Sequence, residues 1–427
     1  MNVLKNYAYT ILLLCGILTG GICGMVFGEG ASIVKPVGDI FLNMMFVLIA
    51  PLVFFSVSSS ICNMKQADMV GKVAGNIALV FLFTSIVAAI VAYLFTLFYN
   101  PLEDINRADI LTGLPGQPIR RLTSSEIFVN TFTVSDFLQL FTKSNLLPLI
   151  IFSAFFGLAA ALSKNKGKTV AGLLDATNSI VLKMMSIIMM AAPLGLGCYF
   201  ADTVGKLGGH ILNGYLHVFL LYLILSVVSF FILNSVYVFL AGGRNAFVAF
   251  WKNMPTPSLM AIATSSSAAC IPVNIEASKR MGIPESIAET VIPLGTNIHK
   301  DGSVMAGVLK VIFLFTIFGH ELTSSSNLFM IIGVALLVGA VMGAIPSGGM
   351  TGELLICSIF GFSPQLAGTL MIISTIVDIP ATLLNSTGNV VCAVLVTRLT
   401  EGKDWMKKRI VPACHPKEEE FKKNIQV

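Results

Sequence analysis

The chain has 427 residues, 55% apolar and only 11% charged, so its polar side chains are too few to coat a water-soluble globule of that size. Its net charge of +5 comes mainly from loop and tail lysines, with no basic cluster interleaved with aromatics, which excludes a nucleic-acid surface. Eight scattered cysteines (Cys15, Cys23, Cys62, Cys198, Cys270, Cys357, Cys392, Cys414) lack CxxC spacing and read as small buried hydrophobes, neither disulfides nor metal ligands.

In hydrocarbon every backbone group needs an internal partner, and continuous apolar runs of about 20 residues then select helices over a barrel. The expected fold is an all-α polytopic membrane protein with eight transmembrane helices plus two re-entrant helical hairpins. The spans fall near 7–28, 35–63, 72–99, 145–163, 170–205, 210–241, 287–319 and 364–397. The first, Tyr7 to Phe27, is too long for a signal-peptide core and is expected to stay in the membrane. A mixed-charge outer loop, 100–130, carries no evident chemistry. The hairpins, about 245–285 and 324–363, are apolar but interrupted by Ser, Gly and Pro. Lys5, Lys65, Lys72, Lys164, Lys166, Lys168, Arg244, Lys252, Lys279, Arg280 and the tail lysines place both termini in the cytoplasm of a multi-pass cell-membrane protein. Trp405 falls where an interfacial aromatic would sit.

Four motifs carry the chemistry. TSSSAACIP, Thr264 to Pro272, breaks the first hairpin with hydroxyls and small residues, and two helix ends meeting there suit a carboxylate. PLGTNIHKDGS, Pro293 to Ser303, weakens a span and sets His299, Lys300 and Asp301 near bilayer depth, where each unpaired charge costs at least about 2.5 kcal/mol. Lys300 and Asp301 neutralising each other is the structural alternative. PSGGMTG, Pro346 to Gly352, includes Ser347, Gly348 and Gly349 and reads as a flexible gate. In the last span Asp378, Thr382, Asn385 and Asn389 are spaced i, i+4, i+7 and i+11, on one helical face with Ala381. Asp378 suits an ammonium group, Thr382 and Asn385 a carboxylate or cation, and Ala381 leaves room without charge.

Together these motifs resemble the dicarboxylate/amino acid:cation symporter family over nearly the whole chain. MMFVLIAPLVFFSV, NLLPLIIFSAFFGLA, IPLGxxIxxDGS and the DxxxTxxN stripe stand in that family's order. The resemblance implies a homotrimer whose subunits divide into a fixed scaffold and a transport part that slides as an elevator. Residues 1–70 and 100–206 would hold scaffold spans one, two, four and five, with 71–99 and 207–400 the transport part and 401–427 a cytoplasmic tail. It implies Ser265, Ser266 and Ser267 at a substrate carboxylate and Pro346 to Met350 as gate. Asp378 would hold the amino group, with Ser303, Ala381, Thr382 and Asn385 around it. Thr84, Ser85, Asp301, Asn385 and Asn389 are candidate sodium ligands, and His299, Lys300 and Asp301 candidate ion-coupling groups.

Where acidic-substrate members place an arginine in the last span, this chain has Ala381, and at the serine motif it has Ser265. A small neutral amino acid such as serine, threonine or alanine is therefore expected, as in the similar serine/threonine:sodium branch. The family's Asn-Met-Asp-Gly-Thr reads His299-Lys300-Asp301-Gly302-Ser303 here, so fewer sodium ions than usual, or protons, are expected to drive transport. No catalytic residue or cofactor other than a coupling ion is expected. The alternatives are a proton-driven C4-dicarboxylate or acidic amino acid carrier in which Lys300 replaces the arginine, an intramembrane serine hydrolase, which lacks a GxSxG elbow, and a passive channel.

Overall fold

The computed structural model describes residues 3–62, 72–98, 133–142, 145–207, 210–342, 349–362, 366–403 and 405–406. The outer loop, most of the tail with Cys414, and Pro346, Ser347 and Gly348 of the expected gate lie outside the described residues. Among those described there is no strand. Six helical stretches are long and apolar enough to cross a membrane: Ile11–Ser59, Gly75–Phe98, Lys166–Met189, Gly214–Asn253, Glu285–Phe318 and Leu366–Glu401. Pro148–Leu162 and Ser325–Val341 are shorter apolar helices.

In chain order, α1 is Val3–Phe27, α2 Lys35–Cys62, α3 Lys72–Phe98 and α4 Leu146–Leu162. The expected single span 170–205 is two helices, α5 Lys164–Met189 and α6 Ala192–Leu207. Pro193 starts the second one, in a first turn where its missing N–H forfeits no bond. Helix α6 packs along α1 because Gly16, Gly20 and Gly24 fall at every fourth residue and face Pro193, Gly197 and Ala201. A Cβ on Gly20 would lie 2.1 Å from the Gly197 oxygen, so only glycine permits this approach. Helices α1, α2, α4, α5 and α6 pack on one another.

Helix α7, His210–Val228, continues through a π turn, Ser229–Leu233, into α8, Asn234–Asn253. Gly243, at φ 65°, bends α8 where the first hairpin was expected to begin. Its limbs are α9, Pro255–Thr264, and α10, Ile271–Arg280. The broken span is α11, Glu285–Ile298, and α12, Asp301–Phe318. Next come α13, Ser325–Val341, and α14, Gly349–Phe360, and last the 36-residue α15, Leu366–Glu401. Helix α15 is the hub of this half: α3, α9, α11, α12 and α14 all pack on it.

Two smaller expectations change. Trp405 is buried, 1% exposed, because the chain turns back at Gly402 and the indole N–H donates to the Ala241 carbonyl at 3.0 Å. Cys15 and Cys23 are exposed on α1 rather than buried.

Candidate functional site

The break between α11 and α12 is narrower than the motif suggests. Pro293 and Gly295 remain inside α11, and only His299 (φ −129°, ψ 112°) and Lys300 (φ −144°, ψ 80°) leave helical geometry. Two successive extended residues direct their side chains to opposite sides. His299 therefore turns toward Thr84 of α3 and Asn389 of α15, and Lys300 points to the other side of the break. Both side chains are buried.

His299 is the centre of a closed cluster. Its Nε2 lies 2.7 Å from Thr84 Oγ1 and 3.0 Å from Asp301 Oδ1, and its Nδ1 lies 3.1 Å from Asn389 Oδ1. Ser85 donates to the same Asp301 oxygen at 2.9 Å, and Phe81 stacks on the imidazole at 4.5 Å. Asp301 pairs with His299, at 3.0 Å, and not with Lys300 as the structural alternative had it. Four of the five candidate sodium ligands, Thr84, Ser85, Asp301 and Asn389, come together here, with the imidazole between three of them. With acceptors on both sides, Asn389 Oδ1 and the Asp301 carboxylate, an imidazolium donating from both nitrogens satisfies the geometry.

The fifth, Asn385, is engaged elsewhere. Its Oδ1 accepts from the Ser303 N–H at 3.1 Å and its Nδ2 donates to Ser303 Oγ at 3.1 Å. Ser303 N–H is one of the donors that the start of α12 leaves without an intrahelical partner, so α15 caps α12. Glycines allow the contact: a Cβ on Gly302 would meet the Ala381 oxygen at 2.5 Å, and one on Gly295 would meet Asn389 Oδ1 at 2.3 Å. Tyr222 of α7 fixes the same turn by donating to the Gly302 carbonyl at 2.8 Å. Gly302→Ala forces α12 off α15 and is expected to lower stability by about 1–3 kcal/mol; an unchanged thermal midpoint in detergent would contradict this packing.

On α15, Ala381, Thr382, Asn385 and Asn389 are buried, and Asp378 remains accessible. The tip between α9 and α10 docks on this helix, held by Asn274, whose Nδ2 donates to the Ser386 carbonyl at 3.1 Å and to its hydroxyl at 2.9 Å. Within the tip, Ser265 takes the left-handed conformation at φ 46° and ends α9. A β-carbon there costs of order 1–3 kcal/mol, strain of the kind that clusters at ligand-holding turns. Ser266 N–H donates to Thr264 Oγ1 at 3.3 Å, Ser266 Oγ accepts from the Ala269 N–H at 3.3 Å, and Ser267 is buried. His299 bonds to Thr84, Asp301 and Asn389 rather than to any of these serines, so it is not placed as a base for a serine nucleophile.

Of the expected gate, Gly349 begins α14 and the preceding residues lie outside the described part. Sequence reading missed Tyr222, Asn274 and Ser386, polar residues in apolar helices with no local pattern, and also a buried group of Lys310, Glu353 and Ser374. The lone Lys310 in GVLKVIF and lone Glu353 in GELLICS were visible signals, since a charge at bilayer depth calls for a partner.

Broken helices that pack polar groups against one interior helix, in a chain this apolar, define a membrane transporter. The chain belongs to the sodium:dicarboxylate symporter family, whose profile matches residues 10–399. It is 27% identical over 379 residues to a C4-dicarboxylate transport protein of Rhodospirillum rubrum, covering 86% of this chain and 79% of the relative. A C4-dicarboxylate transport protein of Bacillus subtilis is 26% identical, covering 82% of each. A proton/sodium-glutamate symport protein of Geobacillus stearothermophilus is 26% identical, covering 90% of this chain and 92% of the relative. The relatives carry dicarboxylates or glutamate in their names, so the expected serine/threonine branch gains no support from them. The family is one of transporters and not of enzymes.

Proposed function

We propose that this chain is a proton-coupled carrier of a small dicarboxylate, either a C4-dicarboxylic acid or an acidic amino acid. The observation that carries the reading is Lys300, a lysine buried at the extended break between α11 and α12. Lys300 supplies the positive charge that Ala381 does not, and so replaces an arginine of α15. An acidic amino acid then has a partner for each of its groups: ammonium on Asp378, one carboxylate on the neutral donors of the Ser265–Ser267 tip with Thr382 and Asn385, the other on Lys300. The relatives named for C4-dicarboxylate and glutamate transport support the same substrate class.

The His299 cluster supports the proton as coupling ion. An imidazole already occupies the oxygens of Thr84, Asp301 and Asn389, groups that a hard cation would need. We read the architecture as eight spans with two hairpins, α9–α10 and α13–α14, in a homotrimer working as an elevator with both termini cytoplasmic. The division of packing between the α1, α2, α4, α5, α6 group and the helices around α15 supports a scaffold and a moving part.

A neutral amino acid remains a second reading, favoured by the uncharged Ala381 beside an accessible Asp378. Competition against labelled aspartate in proteoliposomes separates the two. Succinate and glutamate are expected to compete, and serine, threonine and alanine are not; the reverse pattern overturns the reading. In Asp378→Asn, aspartate uptake is expected to fall by roughly 30-fold or more while succinate is spared, since only the amino acid uses that carboxylate for its ammonium.

A further inference from the structure

Lys310, Glu353 and Ser374 form a second polar cluster, separate from the His299 group and unused by the reading above. Lys310 lies in the middle of α12, Glu353 on α14 and Ser374 on α15. Lys310 and Glu353 are both fully buried, 0% exposed. The Lys310 ammonium donates to Glu353 Oε1 and to Ser374 Oγ, and the Ser374 hydroxyl donates to the same Glu353 oxygen. Glu353 Oε2 is buried without a hydrogen-bond partner among the described residues. Two other titratable groups lie close in sequence to the cluster: Cys357, one turn along α14 from Glu353, and Asp378, one turn along α15 from Ser374.

Stability does not account for such a pair, because well-packed apolar residues of similar volume serve a buried site as well or better. The arrangement of the ligands is more informative. A carboxylate and a hydroxyl converge on one compact positive charge, with a further carboxylate oxygen in reserve, and oxygen ligands with negative charge are what small hard cations prefer. The charge here is carried by the chain itself, and it joins three helices, one of them the returning limb of the second interrupted segment.

We infer that Lys310 is a tethered counter-cation: its ammonium permanently fills an oxygen-lined monovalent-cation site between α12, α14 and α15. The returning limb therefore docks on α12 and α15 without taking up a cation from solution. Removing the ammonium while keeping Glu353 exposes a site for a small monovalent cation, with methylammonium nearest in charge and size to the missing head group.

The test reads thermal unfolding of the full-length purified protein in detergent, and so does not depend on which solute is carried. In choline chloride, Lys310→Ala is expected to unfold at least about 5 °C below wild type. Methylammonium restores the midpoint saturably, and leaves wild type unchanged. The charge-free, volume-conserving Lys310→Met/Glu353→Gln variant is expected within roughly 3 °C of wild type and unresponsive to methylammonium. Failure of methylammonium to recover Lys310→Ala, including failure to yield folded protein in its presence, overturns the inference. An equal response in wild type, or a double variant as unstable as Lys310→Ala, does the same.

Discussion

Lys300→Met is expected to weaken competition by succinate and glutamate by roughly 30-fold to several-thousand-fold, the range for truncating one partner of a buried charged contact. The size follows from position: Lys300 is buried at the break, and Ala381, Ser265, Ser266 and Ser267 bring no other cation to the pocket. Lys300→Arg retains the charge and is expected to keep most of the affinity, although a planar guanidinium does not reproduce a point charge on a short reach. Direct binding of labelled succinate and labelled glutamate to purified protein, each displaced by its own unlabelled form, measures both variants. Undiminished competition in Lys300→Met would remove the proposed role.

The second large effect concerns His299. His299→Gln keeps a polar group facing Thr84, Asp301 and Asn389 but removes the titratable ring. A carrier coupled to one proton concentrates its solute about tenfold per unit of imposed pH difference, since one unit is worth about 1.4 kcal/mol. Wild type is expected to approach that ratio, and His299→Gln is expected to equilibrate substrate with none. Accumulation driven equally well in the variant would place the proton elsewhere. Asp301→Asn should share the defect, because Asp301 carries the charge that faces the imidazole at 3.0 Å.

Much of this arrangement is legible in the sequence, for reasons that can be named. Hydropathy runs locate the long helices because hydrocarbon leaves the backbone no other choice. The interruption at Ser265 to Cys270 is readable from a cluster of hydroxyls between apolar limbs, and the buried face of α15 from the i, i+4, i+7, i+11 spacing. The directions of His299 and Lys300 are not readable. They depend on two residues being extended, and the partners of His299, Thr84 and Asn389, come from helices far along the chain. The same distance in sequence hides Lys310 from Glu353 and Ser374. Trp405 was misplaced because a tail after a long helix gives no local sign that it folds back onto Ala241. Substrate class is the least local property of all: in the proposed reading it turns on a charge absent at Ala381 and supplied by Lys300 at the break between α11 and α12.

The central claim is a dicarboxylate carrier driven by protons at a site whose sodium-ligand positions are taken by His299. Uptake of labelled aspartate and succinate into proteoliposomes, with proton and sodium gradients imposed separately, tests it most directly. The account predicts accumulation under an inward proton gradient in sodium-free buffer, with no further gain from sodium. Accumulation that requires a sodium gradient and ignores the proton gradient would contradict it.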